Sequence, residues 1–259
     1  TAGADLYVTL EPCCHTGKQP PCTEAVLASG VKRVIVGCTD PNPVVAGRGI
    51  RLLREKGLEV VAGVLRGECE RQNEVFFHFM RTKLPFTVLK YAITLDGKTA
   101  TVSGKSQWIT GEAARKRVHE DRGRYMAILT GVSTVLADNP QLTCRIPGGK
   151  NPIRVIADTK LRTPLSSTVV QTARETPTWI VTAVSDAGRK KAYEDAGCRV
   201  LSVPAKEGEL DLQAMMQRLG EEKVDSVMVE SGGTLAWSFL KAGLVNRVQA
   251  YIAPKIFGG

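Results

Sequence analysis

Two cysteines near the start of the chain have the residue type and the surroundings of metal ligands. Cys13 follows a proline after an apparent strand, and Cys22 stands where a short helix is expected to begin. The positive end of a helix dipole stabilises thiolates, and thiolates are favoured zinc ligands. A zinc ion lowers the pKa of its bound water, which then attacks a carbon. Eight residues separate the two cysteines, a weak metal signal by itself, so small buried residues are the alternative.

Two stretches in the second half of the sequence place glycine between a strand and a helix, at residues 129–135 and 229–235. Backbone N–H groups at such a junction bind anions, and two junctions in one sheet suit a phosphorylated cofactor and a phosphorylated substrate. Taken singly, each junction is more often a tight connection. The sequence has no Gly-x-Gly-x-x-Gly pattern, which argues against a standard dinucleotide-binding Rossmann unit.

A polar loop at residues 103–110 contains Trp108 and leads into a predicted helix. Its small polar groups suit the polar atoms of a ligand, and Trp108 suits stacking on a flat ring. A turn with a tryptophan in the core is the alternative. Lys90 and Asp96 lie on one strand and the turn after it. We interpret them as an ion pair at the end of that strand rather than as catalytic groups.

The elements that must position these residues alternate along the chain. Residues 1–82 are predicted to run strand–helix–strand–helix–strand–helix, with one amphipathic helix over residues 67–81 as the last element. A linker at 82–85 precedes a second alternating series, which includes a helix at 111–122 with Thr110 as its N-cap. This order predicts an α/β fold in which helices cover mostly parallel sheets.

Composition restricts the class of protein further. The 259 residues carry a net charge of +9 and are 43% hydrophobic, which is typical of a globular protein and excludes a disordered one. Seven cysteines, an odd number spread along the chain, indicate a reducing cytoplasm. We recognise no membrane-spanning run and no signal peptide. Lys and Arg are scattered, which weakens the case for nucleic-acid binding, and we expect neither a nucleic-acid nor a membrane partner.

The stretch from Leu10 to Cys22, with the Asp-Pro-Asn-Pro segment that begins at Asp40, resembles the deaminase half of the bifunctional riboflavin-biosynthesis deaminase–reductases. The resemblance implies that Cys13 and Cys22 bind one zinc ion, with Cys14 and His15 as neighbours that do not bind it. In that family the third ligand and the proton-shuttling Glu lie on a His-Ala-Glu segment before this strand.

None of the three histidines in this sequence stands in a His-x-Glu context. Both ends of the chain run directly into strand-like segments, so we expect both to be cut. The resemblance then implies a zinc deaminase domain at 1–82 that lacks its N-terminal part. We expect the 259-residue chain not to deaminate.

Four motifs in the second half, in the same order and at coherent spacing, resemble the reductase half of the same family. They begin at Leu89, Ser106, Gly131 and Val229. The resemblance implies a partial cytidine-deaminase-like three-layer domain followed by a dihydrofolate-reductase-like α/β domain at 83–259. That second domain is expected to lack its last elements.

The resemblance also implies roles for individual residues and a reaction. The residues expected to contact the substrate are Ser106, Arg122, Leu142, Arg145 and Glu230. Those expected to line an NADPH site are Ala92, Trp108, Thr134, Asp138, Thr159, Gly232, Gly233, Thr234 and Leu235. The substrate is a phosphorylated pyrimidine whose ribosylamino group NADPH reduces to a ribitylamino group, after zinc-dependent deamination in the full-length family protein. No residue stands out as the catalytic proton donor.

The chain is expected to form a homo-oligomer. Three alternatives to a bifunctional enzyme stay open. The protein could be a reductase whose residues 1–82 are a scaffold without activity. It could be a nucleic-acid-binding relative of the deaminases, in line with the charge of +9, although its three tryptophans are not interleaved with a basic stripe. It could also be a fragment without a stable fold, because missing strands would expose sheet edges and core surface.

Overall fold

The computed structural model describes residues 2–17, 19–104, 106 and 108–258. The chain divides into two units, Thr1–Lys83 and Leu84–Gly259, each with its own sheet. In the described ranges, no helix has the length and apolar character needed to cross a membrane.

The first unit contains a three-stranded parallel sheet in the order β1-β2-β3. Its elements are β1 (Asp5–Leu10), α1 (Cys22–Ala28), β2 (Arg33–Cys38), α2 (Arg48–Glu55), β3 (Glu59–Ala62), α3 (Arg66–Gln72) and α4 (Glu74–Thr82). The small core packs Val34 and Val36 of β2 against Ile50 and Leu53 of α2. The predicted alternation of strands and helices is therefore confirmed in this unit.

The prediction of one helix over residues 67–81 is wrong, because Asn73 separates α3 from α4. Asn73 has φ −105° and ψ 20°, outside the helical range. Its side-chain amide donates to the Cys69 carbonyl at 2.9 Å, the same oxygen that its backbone N–H uses at 3.1 Å. Asn side chains compete with the backbone in this way, and the competition bends the chain at this residue.

The second unit is built on a seven-stranded sheet in the order β12-β4-β11-β5-β6-β7-β8, with every neighbouring pair parallel. The strands are β4 (Phe86–Thr94), β5 (Ala127–Gly131), β6 (Ile153–Ala157), β7 (Thr178–Thr182), β8 (Arg199–Ser202), β11 (Ser226–Val229) and β12 (Arg247–Ala253). This arrangement confirms the expected parallel α/β sheet.

Helices cover both faces of this sheet. They are α5 (Glu112–Arg124), α6 (Val132–Asp138), α7 (Thr168–Gln171), α8 (Ala187–Asp195), α9 (Leu212–Glu221) and α10 (Gly233–Lys241). Successive strand residues point to opposite faces. Leu129 of β5 accordingly belongs to one buried cluster, and its neighbour Ile128 belongs to the other. Only strands buried on both faces can supply two such cores.

Two local features differ from the sequence-based expectation. Thr110 is not the N-cap of α5: that position is Gly111, and the Thr110 carbonyl instead accepts from Arg115 Nη1 at 2.8 Å. The helix starts one residue later than predicted, so the Thr110 side chain lies outside it. A small antiparallel hairpin of β9 (Ala205–Lys206) and β10 (Glu209–Leu210) was not predicted, because two-residue strands have no readable alternation.

Candidate functional site

A carboxylate lies at the carboxyl end of the central strand β11. Glu230 follows β11, and its backbone N–H donates to the Leu129 carbonyl of β5 at 2.9 Å. Arg122 of α5 donates through Nε to Glu230 Oε1 at 2.8 Å and through Nη2 to Oε2 at 3.1 Å. Lys90 of β4 donates through Nζ to Oε2, also at 3.1 Å. All three side chains are at most 15% exposed, so one buried carboxylate is shared by two buried cations.

The charge state of Glu230 follows from these contacts. Burial raises its pKa, but the charges of Arg122 and Lys90 and the hydrogen bonds that both donate outweigh burial and lower this pKa to about 2. Glu230 is therefore ionised near neutral pH. An ionised carboxylate only accepts hydrogen bonds, so Glu230 is an anchor for N–H or O–H groups and not a proton donor.

The interpretation of Lys90 and Asp96 as an ion pair is wrong. Lys90 binds Glu230, whereas the Asp96 carboxylate accepts from the Thr94 hydroxyl and from the backbone N–H of Gly258 at 2.9 Å. The register of the sheet explains this, because Val229 lies opposite Leu89 and so brings Glu230 beside Lys90. Strand pairing of this kind is not readable from local sequence.

The loop after α6, residues 139–145, contacts this cluster. Arg122 Nη1 donates to the Thr143 carbonyl at 3.0 Å. Arg145 donates through Nη1 to Gln141 Oε1 at 3.2 Å, and its backbone N–H donates to His119 Nδ1 at 3.2 Å. Burial, followed by the charges of Arg122 and Arg145, lowers the pKa of His119. A neutral His119 suits the acceptor role that this backbone contact requires.

Arg145 also lines a cavity of about 810 Å³, which we call the basic pocket, together with Trp108 and side chains of α5. Trp108 is 59% exposed, which rules out the core-tryptophan alternative. The guanidinium of Arg115 lies 4.8 Å from the centre of its ring. The complete lining is Trp108, Glu112, Ala113, Arg115, Lys116, His119, Arg145 and Ile146. The pocket combines an aromatic face with cations, which suits a flat, anionic ligand.

A second cavity of about 300 Å³, which we call the glycine pocket, lies where α6 and α10 begin. It is lined by Gly131, Val132, Ser133, Thr134, Ala157, Thr159, Arg162, Glu209, Leu210, Leu212, Gly232, Thr234, Leu235 and Ser238. Both strand–glycine–helix junctions contribute to it, so the two predicted anion-binding turns meet in one pocket. A Cβ added at Gly232 would have no described atom within 4 Å, which leaves its backbone open to a ligand.

Comparison with known proteins gives the family. The model of the RibD C-terminal domain matches residues 85–259. The riboflavin biosynthesis protein RibD of Actinobacillus pleuropneumoniae is 50% identical over 100% of this chain and 69% of its own length. The chain belongs to the RibD family. The resemblance seen in the sequence motifs is thereby confirmed.

Solved RibD structures are similar to this chain over its full length. A deaminase/5-amino-6-(5-phosphoribosylamino)uracil reductase from Thermotoga maritima is 40% identical with a TM-score of 0.84, covering 100% of this chain and 70% of the other. A RibD structure from Acinetobacter baumannii is 36% identical with a TM-score of 0.86, covering 100% of this chain and 71% of the other. The reductase part of the expected fold is therefore that of a RibD protein.

The predicted RibD site residues fall into three groups. Arg122 and Glu230 bind each other, and the loop that joins Arg122 also carries Arg145 and the buried Leu142. Five predicted cofactor residues line the glycine pocket: Thr134, Thr159, Gly232, Thr234 and Leu235. The others do not line it: Ala92 is on β4, Trp108 lines the basic pocket, Asp138 is exposed at the end of α6, and Gly233 begins α10. Ser106 is half-buried, and its neighbours Lys105 and Gln107 lie outside the described residues.

Several side chains in these RibD pockets were not found by sequence reasoning. Lys90 was assigned another partner in the sequence analysis. Arg115, Lys116 and His119 look like ordinary helix residues in the sequence, and only the structure shows that they line the basic pocket. Arg162 lies on an irregular loop after β6. Arg115, His119 and Arg122, spaced to share one face of α5, were the one readable signal.

The two cysteines predicted to bind zinc, Cys13 and Cys22, lie next to each other. The backbone N–H of Cys22 donates to Cys13 Sγ at 3.3 Å, so the two cysteines are adjacent as predicted for ligands. Within the part of the chain that the structure describes, no group of three metal-binding side chains is present. A catalytic zinc takes three protein ligands, so two thiolates do not complete its ligand set. The described residues alone therefore do not form a catalytic zinc site.

Proposed function

We propose that the second unit reduces 5-amino-6-(5-phosphoribosylamino)uracil to its ribitylamino product with NADPH, within riboflavin biosynthesis. The observation that carries the proposal is the ionised Glu230, which Arg122 and Lys90 hold two residues before Gly232, a lining residue of the glycine pocket. Ligands of parallel α/β sheets bind at the carboxyl ends of the strands, where this cluster lies. RibD family membership makes this substrate the expected one.

The residues divide the work of binding. Glu230 accepts hydrogen bonds from N–H groups of the pyrimidine, because its carboxylate is ionised and rigidly held. Arg145, an exposed guanidinium on the rim of the basic pocket, binds the phosphate, a task for which its planar fork is suited. The glycine pocket, with the N-terminus of α10 and Arg162, fits a dinucleotide phosphate. Its Thr134 and Thr159 supply neutral polar contacts.

NADPH, when bound, supplies the hydride that adds to the carbon of the opened ribosylimine. The nitrogen of that imine gains a proton, so the reduction adds two electrons and two protons in total. Glu230 does not provide this proton, since its pKa of about 2 leaves it deprotonated. The side chains of the Glu230 cluster and of the two pockets orient the substrate, and positioning supplies most of the rate.

The test is NADPH oxidation by the purified chain with the phosphoribosylamino substrate, followed by absorbance and by the mass of the ribitylamino product. We expect oxidation that depends on substrate and that weakens when the phosphate has been removed. Binding of both ligands without any oxidation would contradict the proposal.

Arg162 is expected to select NADPH over NADH. It is the one cation among the described residues that line the glycine pocket, and only NADPH carries a 2′-phosphate. Replacing it by alanine should raise the KM for NADPH about tenfold and leave the KM for NADH unchanged, which corresponds to about 1.4 kcal/mol. The control is Lys160→Ala, because Lys160 is an exposed neighbour outside the pocket lining. Equal effects of Arg162→Ala on both nucleotides would refute the role.

We also propose that this 259-residue chain does not deaminate the diaminopyrimidine precursor. Cys13 and Cys22 are adjacent, but the described residues offer them no third metal-binding side chain. Ammonia release is therefore expected to stay at background, with or without added zinc, in the preparation that oxidises NADPH. Substrate-dependent ammonia release by this chain would overturn the expectation.

A further inference from the structure

An arginine lies in the interior of the second unit, away from both pockets. Arg154 of β6 is 0% exposed, and its guanidinium donates to six neutral oxygens. The acceptors are Thr178 Oγ1, Gln141 O, Thr172 Oγ1, Val169 O, Thr172 O and Thr176 O, at 2.8–3.2 Å. Among the described residues no carboxylate forms an ion pair with Arg154, and the charge of Glu175 acts on it only from a greater distance. A buried cation without a direct ion-pair partner is costly, so its retention calls for a physical reason.

Packing alone does not supply that reason. A hydrophobic side chain of similar volume would fill the same space without the cost of removing a charge from water. Five of the six acceptors belong to residues 169–178, where α7 ends and its terminal carbonyls need donors. Those contacts stabilise one segment of the core. The sixth contact is made to a different segment, the 139–145 loop.

The sixth acceptor is the carbonyl of Gln141 in the 139–145 loop, 3.2 Å from Arg154 Nη1. The side chain of the same Gln141 accepts from Arg145 Nη1 at 3.2 Å. On the opposite side, Arg122 holds the loop at the Thr143 carbonyl. The loop is thus fixed from the core by Arg154 and from the site by Arg122. Leu142 between them adopts φ 54°, a conformation that a free loop would leave readily.

We propose that Arg154 is a positioning residue of the reductase, which acts on the substrate through the Gln141 carbonyl and thereby through Leu142 and Arg145. The inference rests on the proposed function, since it takes the 139–145 loop as a substrate-binding element. A rigid fork with several donors is required, because one group must bind the end of α7 and the loop together.

The experiment is a double-mutant cycle between Arg154→Met and Arg145→Ala in the full chain. We expect each single variant to raise the KM for the pyrimidine substrate about tenfold or more, while the Kd for NADPH stays within about twofold. The double variant should be no worse than Arg145→Ala alone, because both changes remove the same contact. Arg154→Lys should restore only part of the loss, since an ammonium lacks the planar fork.

Thr178→Val is the matched control. Thr178 accepts from Arg154 Nε but is on the core side, so its loss should lower the melting temperature without changing the substrate KM. Should Arg154→Met fail to fold, Gln141→Leu tests the contact between the loop and Arg145. Gln141 is exposed, and its side chain accepts the hydrogen bond from Arg145. Gln141→Leu should raise the substrate KM in the same direction.

Two results would overturn the inference. One is a change in melting temperature without any change in substrate KM, in Arg154→Met or in Gln141→Leu. The other is a double variant whose KM change is the product of the two single changes. Hydrogen exchange separates this failure from a failure of the proposed function. Amides 142–145 should exchange faster in Arg154→Met and not in Thr178→Val, even if wild type shows no NADPH oxidation.

Discussion

Replacing Glu230 by glutamine is expected to lower kcat/KM for the pyrimidine substrate about 100-fold and the free energy of unfolding by about 3 kcal/mol. The change removes the negative charge that Arg122 and Lys90 share while leaving both cations buried, with side-chain exposures of 13% and 15%. A buried ion pair that loses one partner costs far more than the pair contributed, because the other charge stays without a partner. Steady-state kinetics and urea unfolding measure the two effects.

Glu222→Gln is the control, because Glu222 also binds two arginines but in a solvated setting. Arg199 and Arg218 are 47% and 41% exposed, so the free energy of unfolding should fall by less than about 1 kcal/mol and activity should be unchanged.

Glu230 should also give the stability of the protein a characteristic pH dependence. Its pKa falls from 4.5 to about 2 on folding, so its stabilisation is complete above 4.5 and is lost as the pH falls toward 2. This loss of stability at acid pH should be missing in Glu230→Gln. If both proteins lost the same free energy of unfolding between pH 4.5 and 2, Glu230 would not be the ionised group described here.

Replacing Gly232 by valine should weaken NADPH binding about 100-fold, or about 2.8 kcal/mol, and leave the fold intact. Gly232 has φ −64° and ψ 165°, an extended conformation that valine adopts without strain. A side chain there meets no described atom within 4 Å, so it occupies space that the proposed function assigns to the dinucleotide. Isothermal titration with NADPH and thermal unfolding give the two readouts.

A matched variant for this experiment is Gly111→Val. Gly111 is also the N-cap of a helix, with φ −71° and ψ 177°, and likewise has no described atom within 4 Å of an added Cβ. It does not line the glycine pocket, so the Kd for NADPH should change little. If Gly111→Val and Gly232→Val weakened NADPH binding equally, the glycine pocket would not be the cofactor site.

The sequence predicted those parts of the fold and the site that depend on local pattern. The continuous apolar run of β5 and the glycine after it are readable without a structure, and both strand–glycine–helix junctions were predicted at the correct positions. The break at Asn73 was not readable, because a polar side chain within an amphipathic pattern is as compatible with one helix as with two.

The contacts that give the site its electrostatics could not be predicted in this way. Lys90, Arg122 and Glu230 are brought together by the register of β4, β11 and β5 and by the face that α5 presents. A local pattern shows which residues share a strand, but not which strands become neighbours. Arg154 illustrates the same limit, since a charged residue within a strand is usually read as solvent-facing, yet this one is fully buried.

The strand order has a consequence for how the second unit is made. β4 is the first strand of its sheet to leave the ribosome, yet its two neighbours are β11 and β12, the last two. β4 and β5 do not pair with each other, because β11 is inserted between them. A nascent chain therefore exposes both edges of β4 until residues 226–253 have been synthesised. Interrupted translation before that point would release a protein whose unpaired strand edges can aggregate, and such proteins are bound by chaperones.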